Sequence, residues 1–225
     1  LTHYDISADG KKIALTVRGR GFVAPVKPGR LVSLPQQGGT RLRDIMFLPK
    51  TDQVCLLSDE TGETEFWQQP ADGNDGHARQ ITKDAAVLRF NGLSSPDGKQ
   101  VAYTDRDQVL WLLDVKSGNS RKVAFSQDGT EFDSPDLAWS PDSRWLAFSD
   151  YGSNAIQRVF LFDTAAKGKD VSPVAVTTDR LDSYSPAFSA GGRWLYFLTD
   201  RTFRSVQRSP WGPRQPEAYL DRTTS

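Results

Sequence analysis

Five times along the chain an apolar run meets a short polar turn and resumes as a second apolar run. The segments begin at Ile6 (ISADGKKIALT), Phe47 (FLPKTDQVCLLS), Leu93 (LSSPDGKQVAYT), Trp139 (WSPDSRWLAFS) and Phe188 (FSAGGRWLYFLT). Aligned on the residue before each turn (Ser7, Leu48, Ser95, Ser140 and Ser189), they recur at intervals of 41, 47, 45 and 49 residues. A repeat of that length is the signature of four-stranded propeller blades. Within a unit the turn Pro96-Asp97-Gly98 or Pro141-Asp142-Ser143 predicts a hairpin, because Pro presets φ, Asp accepts from the backbone ahead and Gly tolerates positive φ. The strand after it, Val101-Ala102-Tyr103 or Trp145-Leu146-Ala147-Phe148, is rich in the β-branched and aromatic types that pack on pleated sheets.

A third strand is predicted at Glu65-Phe66-Trp67, Val109 to Leu113 and Arg158 to Phe162, each running into a second turn at Ala71-Asp72-Gly73, Lys116-Ser117-Gly118 or Ala165 to Gly168. A shorter, more polar fourth strand closes the unit at Ala78 to Thr82, Arg121 to Phe125 and Val174 to Thr177, as suits an edge that must not invite foreign strands. No segment has helical periodicity. The expected fold is all-β, a propeller of four-stranded antiparallel blades. The units fall at about 1–35, 43–82, 89–125, 133–177 and 182–211, so about five blades are present. The first residue is Leu, and the tail Ser209-Pro-Trp-Gly-Pro-Arg-Gln-Pro is no clean final strand; both suggest an excerpt of a six- or seven-bladed ring.

Charge narrows the partners. The chain has 225 residues, with 28 Lys+Arg against 28 Asp+Glu, so no overall field draws it to nucleic acid or an anionic membrane. The longest apolar run is far too short to cross a bilayer, and the first residues lack the regions of a secretion signal. The single Cys55 forms no internal disulfide. These features favour a cytoplasmic chain; a periplasmic one stays open.

Candidate chemistry is sparse. The chain holds two histidines, His3 at its start and His77 in the Gly/Asp/Asn loop Asp72 to His77, and no G-x-S-x-G elbow for either to serve. Cys55 lies in the apolar run Val54-Cys55-Leu56-Leu57 and reads as a buried, inert thiol. Asp72 to Asp75 lacks the spacing of a calcium loop, so neither metal nor cofactor is expected, and no catalytic residue. Four second strands end in a hydroxyl residue followed by Asp: Ser58-Asp59, Thr104-Asp105, Ser149-Asp150 and Thr199-Asp200. Each Asp is expected to cap the next turn. Trp67, Trp111, Trp139, Trp145 and Trp194 recur at matching places and are expected to pack between blades.

The ordered series SDETGETEFWQQPADG at 58–73, ARQIT at 78–82, WSPDSRWLAFSD at 139–150 and LYFLTDRTF at 195–203 resembles the propeller region of the tricorn protease family, over about residues 6–203. Two turns depart from its pattern, Pro49-Lys50-Thr51-Asp52 and Ala190-Gly191-Gly192. The resemblance implies a large serine protease that trims peptides. It would be an oligomer of identical subunits whose propellers precede a PDZ-like module and a peptidase core, with the catalytic residues downstream. This segment would then gate or guide peptides. The alternatives are a protein-binding propeller of the TolB type and the propeller of a prolyl oligopeptidase relative, both of which use the SPDG turn. In a propeller the first strand of each blade lines the axis, so the residues entering it surround one mouth: Arg43 and Asp44, Arg89 and Asn91, Asp133 and Ser134, and Asp182, Ser183 and Tyr184. Arg43 and Arg89 are expected to steer a peptide through its carboxylate, since a guanidinium offers two parallel donors.

Overall fold

The structure, a computed structural model, describes residues 3–74, 78–84, 87–126, 136–152, 154, 156–168 and 171–200, with the side chain of Asn91 excepted. Every regular element among them is a strand. Blade 1 comprises β1 (His3–Ile6), β2 (Lys12–Val17), β3 (Arg20–Pro25) and β4 (Val32–Ser33). Blade 2 comprises β5 (Leu42–Leu48), β6 (Gln53–Ser58), β7 (Glu65–Pro70) and β8 (Arg79–Gln80). Blade 3 comprises β9 (Arg89–Ser94), β10 (Gln100–Asp105), β11 (Val109–Asp114) and β12 (Ser120–Phe125), and blade 4 comprises β13 (Leu137–Trp139), β14 (Trp145–Tyr151), β15 (Gln157–Asp163) and β16 (Val174–Ala175). The fifth unit is described as the hairpin of β17 (Ser183–Phe188) and β18 (Leu195–Thr199). Each blade is an antiparallel meander in chain order.

The hairpin turns close as the sequence dictates. Ser95 Oγ donates to Asp97 Oδ1 at 2.7 Å and accepts from Gln100 N at 3.0 Å. Ser7 and Asp9 repeat the pattern in blade 1, and Ser140 with Asp142 in blade 4. Gly98 is indispensable for two reasons: its φ is 72°, and a Cβ there would lie 2.2 Å from the Pro49 carbonyl oxygen of blade 2. Where blade 4 has Ser143 at φ 63° instead, its Oγ accepts from Asp97 N at 3.0 Å. Successive turns thus stack along one rim.

The second strands of blades 2, 3 and 4 are apolar on both faces because each of these blades lies between two others. In β6, Val54 and Leu56 point into a core shared with Ala14, Val23 and Leu34 of blade 1, while Cys55 and Leu57 point into a core shared with Val101, Tyr103 and Leu113 of blade 3. In β10, Ala102 turns the other way, toward Leu146, Phe148 and Phe162 of blade 4. Burying each such Leu or Phe contributes roughly 1.5–3 kcal/mol. Phe66 and Tyr103 meet edge to face across the joint of blades 2 and 3, with ring centroids 5.0 Å apart. The outermost strands β4, β8 and β16 have two residues each, which leaves little free edge. β8 and β16 are shorter than the sequence suggested; β12 keeps six residues.

Of the recurrent tryptophans, Trp139 is buried and Trp67 and Trp111 pack against cores. Trp145 is half-buried, with the Arg144 guanidinium 5.0 Å above its ring. Trp194 departs from expectation and is 61% exposed, together with Tyr196 and Leu198. It belongs to the fifth unit, whose β17 packs against blade 4, but among the described residues no further blade covers β18 and the exposed side of that hairpin.

Candidate functional site

Innermost strands follow one another around the axis: β1 packs on β5, β5 on β9 and β13 on β17. Their entry ends pair in register with the ends of the second strands, Leu42 with Ser58, Arg89 with Asp105 and Ser183 with Thr199. The hydroxyl-Asp steps therefore sit at the same mouth as the strand entries, a neighbourhood the sequence did not reveal. A bulge recurs in β5 between Arg43 and Met46, in β9 opposite Ala102 and Thr104, and in β17 between Tyr184 and Ala187. Counted back from Leu48, Ser95 and Ser189 these bulges share one position. Asp44 at φ 49° and Ser185 at φ 52° carry the backbone kink in β5 and β17. Bulges of this kind re-aim side chains at barrel and sheet rims.

The expected mouth residues have separate fates. Arg43 and Asp44 are half-buried at the β5 bulge. Asn91 lies in the β9 bulge. Asp182 accepts from Gln157 N at 2.8 Å and from Asp200 N through its carbonyl at 3.0 Å. Ser183 is buried, and Tyr184 donates its hydroxyl to Asp200 Oδ1 at 3.2 Å. Asp133 and Ser134 lie outside the described residues, as does His77. His3 is half-buried in β1.

Arg89 is corrected. Instead of facing the channel, its side chain is 1% exposed; Nη1 lies 3.0 Å from Glu65 Oε2 and donates to the Thr64 carbonyl at 2.9 Å, and Nη2 pairs with Asp84. Burial opposes its charge, but hydrogen bonding to Tyr103 and attraction to Glu65 outweigh that, so the guanidinium is held above its ordinary value. Thr82 completes the clasp by donating to Glu65 and accepting from Phe66 N at 2.9 Å. Its physical origin is the path of the chain: the segment returning from β8 to β9 must cross the joint of blades 2 and 3, and Arg89 pins it there. Burial likewise raises the Tyr103 hydroxyl.

The Asp residues of the hydroxyl-Asp steps do more than cap turns. Asp105 does cap its own, accepting from Val109 N at 2.9 Å, and it also takes the Trp111 indole N–H at 2.6 Å. Asp59 holds Arg41 N at 2.6 Å as the chain enters blade 2. Asp150 accepts from Ser126 Oγ of blade 3 at 2.7 Å. A further carboxylate at this mouth went unforeseen: Asp136 Oδ2 accepts from Ser185 N of the fifth unit at 2.8 Å and from Ser149 Oγ at 3.2 Å. A signal did exist, since Asp136 stands just before a first strand as Asp182 does.

At the opposite rim the turn of blade 2 breaks the repeat. Lys50 takes the left-handed conformation at φ 63°, one position earlier than Gly98 or Ser143 does in its own turn. A cleft of about 180 Å³ opens beside it, lined by Asp9, Lys12, Lys50, Asp52 and an apolar floor of Phe47, Leu48 and Ala71. Among the described residues no group of three or more His, Cys, Asp or Glu side chains is placed to hold a metal ion. Cys55 is fully buried, and desolvation pushes its thiol up to about 12.

Stacked four-stranded meanders, innermost strands packed in sequence and a polar mouth at their entry ends define a β-propeller. Residues 1–214 match the model of the tricorn protease second beta propeller domain, and the chain belongs to that family. Tricorn protease homolog 1 of Streptomyces coelicolor is 31% identical over 210 residues, which is 90% of this chain and 18% of that protein. The chain spans about a fifth of the length of the curated relatives it matches. Among solved structures, the crystal structure of the tricorn protease superposes with a TM-score of 0.73 at 20% identity, covering 91% of this chain and 19% of that one. A TolB protein of Agrobacterium tumefaciens superposes at 0.60, also with 20% identity, over 90% of this chain and 72% of its own. Likeness at that identity speaks for the fold alone.

Proposed function

We propose that this propeller is the non-catalytic passage of a tricorn-like serine protease, admitting or guiding peptides toward a peptidase core carried elsewhere in a longer, oligomeric protein. The observation that carries the reading is the mouth itself. Arg43 and Asp44 stand at the entry end of the innermost strand β5 and Asp182 and Tyr184 at that of β17, and the hydroxyl-Asp steps are paired beside them. A backbone bulge follows directly after Arg43 and after Tyr184, and Asp44 lies within the first of these. A peptide approaching the mouth meets carboxylates that suit its ammonium end and, at Arg43, a guanidinium that suits its carboxylate. Membership of the tricorn propeller family supports the enzyme class.

The experiment is peptide turnover by the full-length protein with Arg43→Ala, over substrates of graded length. Loss of a guanidinium contact is expected to raise KM with little change in kcat, since steering acts before the chemical step. Unchanged KM at every length would refute the role of Arg43.

A further inference from the structure

Blades 1, 2 and 3 each meet the next not only through an apolar core but at the circumference, where one position of the fourth strand touches the following blade. The third strands end at Pro25, Pro70, Asp114 and Asp163. Two residues before those ends, Val23 pairs with Val32, Gln68 with Arg79, Leu112 with Arg121 and Leu161 with Val174. Val32, Arg79, Arg121 and Val174 are therefore the same rung in four blades, filled in two chemically different ways.

Between blades 2 and 3, Arg79 Nη2 donates to the Val115 carbonyl at 2.6 Å and Nη1 to the Lys116 carbonyl at 3.4 Å, while Gln68 Oε1 steadies the fork at 2.8 Å. Between blades 3 and 4, Arg121 Nη1 reaches the Ala166 carbonyl at 2.6 Å and Nη2 the Thr164 carbonyl at 2.9 Å, with the guanidinium 5.0 Å from the Phe162 ring centroid. Both arginines grip the turn between third and fourth strands of the next blade, where carbonyls at the end of a strand have no ladder partner. Between blades 1 and 2 the same rung holds Val32, which makes no such fork: it packs against the core of that joint and on Gly73, closely enough that a Cβ on Gly73 would lie 2.6 Å from Val32 Cγ1. The open cleft beside Lys50 belongs to this same joint. Val174 is 66% exposed.

We propose that Arg79 and Arg121 are inter-blade clips that lock blades 2, 3 and 4 into one rigid block, and that the circumference yields at the joint of blades 1 and 2. The Arg89 clasp adds to the first locked joint. Among the described residues the joint of blades 1 and 2 is held by its core and by bonds donated from β5, Phe47 N to Asp5 Oδ2 at 2.7 Å and Leu42 N to the Gly19 carbonyl at 2.9 Å, so its outer edge is free to open by shear while its inner edge stays closed. The fork geometry is specific: a lysine in place of either arginine supplies one ammonium nitrogen in place of two, without the planar fork that addresses each carbonyl separately.

Two measurements on the full-length protein test this. Hydrogen exchange in Arg79→Met is expected to speed up about 10-fold at residues 114–118, as for loss of a charged hydrogen-bonding group, and to stay as in the parent at 163–168. Arg121→Met should give the reverse. For the joint itself, spin labels on Lys27→Cys with Asp72→Cys span blades 1 and 2, and labels on Lys116→Cys with Lys167→Cys span blades 3 and 4. Cys55, buried and with its thiol pushed up to about 12, stays unlabelled. The expected result is a broader distance distribution for the first pair, and broadening of the second when Arg121→Met is added. Equal widths in the parent, unchanged exchange at both turns, or a uniform rise across all turns would each overturn the proposal.

Discussion

Replacing Arg89 by Met is the sharpest perturbation the fold offers. Its side chain is 1% exposed and that of Glu65 2%, so Arg89→Met takes the cation away from a buried carboxylate that keeps the Thr82 hydroxyl as a donor. Removing one member of a buried ion pair costs about 3–5 kcal/mol. That is a large share of the roughly 5–15 kcal/mol by which domains are stable. Asp84 adds little to this figure, because its side chain is 59% exposed and rehydrates when released. Glu65→Gln is milder: the shape and the Thr82 contact persist, and Arg89 keeps Asp84 and the Thr64 carbonyl, so about 1–3 kcal/mol is expected. The double variant Arg89→Met/Glu65→Leu removes both charges, and it should recover most of the loss, since apolar replacement of a buried pair is often neutral. Native-state hydrogen exchange reads these energies locally in the full-length protein. At tenfold per 1.4 kcal/mol, amides of β7 and β10 should exchange roughly two to four decades faster in Arg89→Met. The reasoning fails if Arg89→Met exchanges like the parent, or if the double variant is worse than either single one.

Other expectations follow from the turns and the core. Gly98→Ala combines a positive φ with a Cβ pressed on the Pro49 carbonyl and should cost about 1–3 kcal/mol, measurable as a lowered melting temperature; Gly10→Ala, at φ 69° but with nothing within 4 Å, should cost less. The Ser7 hydroxyl and the Lys11 amide hold the Asp9 carboxyl at about 2, and like contacts lower Asp142, and Asp97 against its partial burial. Their contribution is therefore complete above the ordinary value of 3.8 and is lost as pH falls through the lowered values, so thermal stability should hold flat from neutral pH to about 5 and decline toward 2. Cys55 should resist thiol reagents at neutral pH until the protein unfolds, because burial disfavours the thiolate.

The period of 41 to 49 residues, the Ser-x-Asp turns and the doubly apolar second strands were all legible, because each depends on residues adjacent in the chain. What escaped depends on contact between blades. Arg89 looks like any polar residue entering a strand, and only the fold brings Glu65 and Tyr103 against it. Arg79 and Arg121 sit in unremarkable polar edges, and their acceptors are backbone carbonyls some 36 to 45 residues away, for which side-chain identity gives no sign. Asp136 hides for the same reason, since its partner Ser185 is 49 residues on. Trp194 was misplaced because its repeat position promises a covering neighbour that the described residues do not supply.

The central claim is that peptides reach the peptidase core through the mouth formed by the entry ends of the innermost strands. A bulky polymer coupled to Arg43→Cys in the full-length protein would obstruct that mouth, and the same polymer on Lys122→Cys, exposed on the outermost strand β12, serves as control. The account predicts that turnover of peptides of ten or so residues falls steeply with the label at 43 and is unchanged with the label at 122. Equal turnover for the two labelled proteins would contradict it.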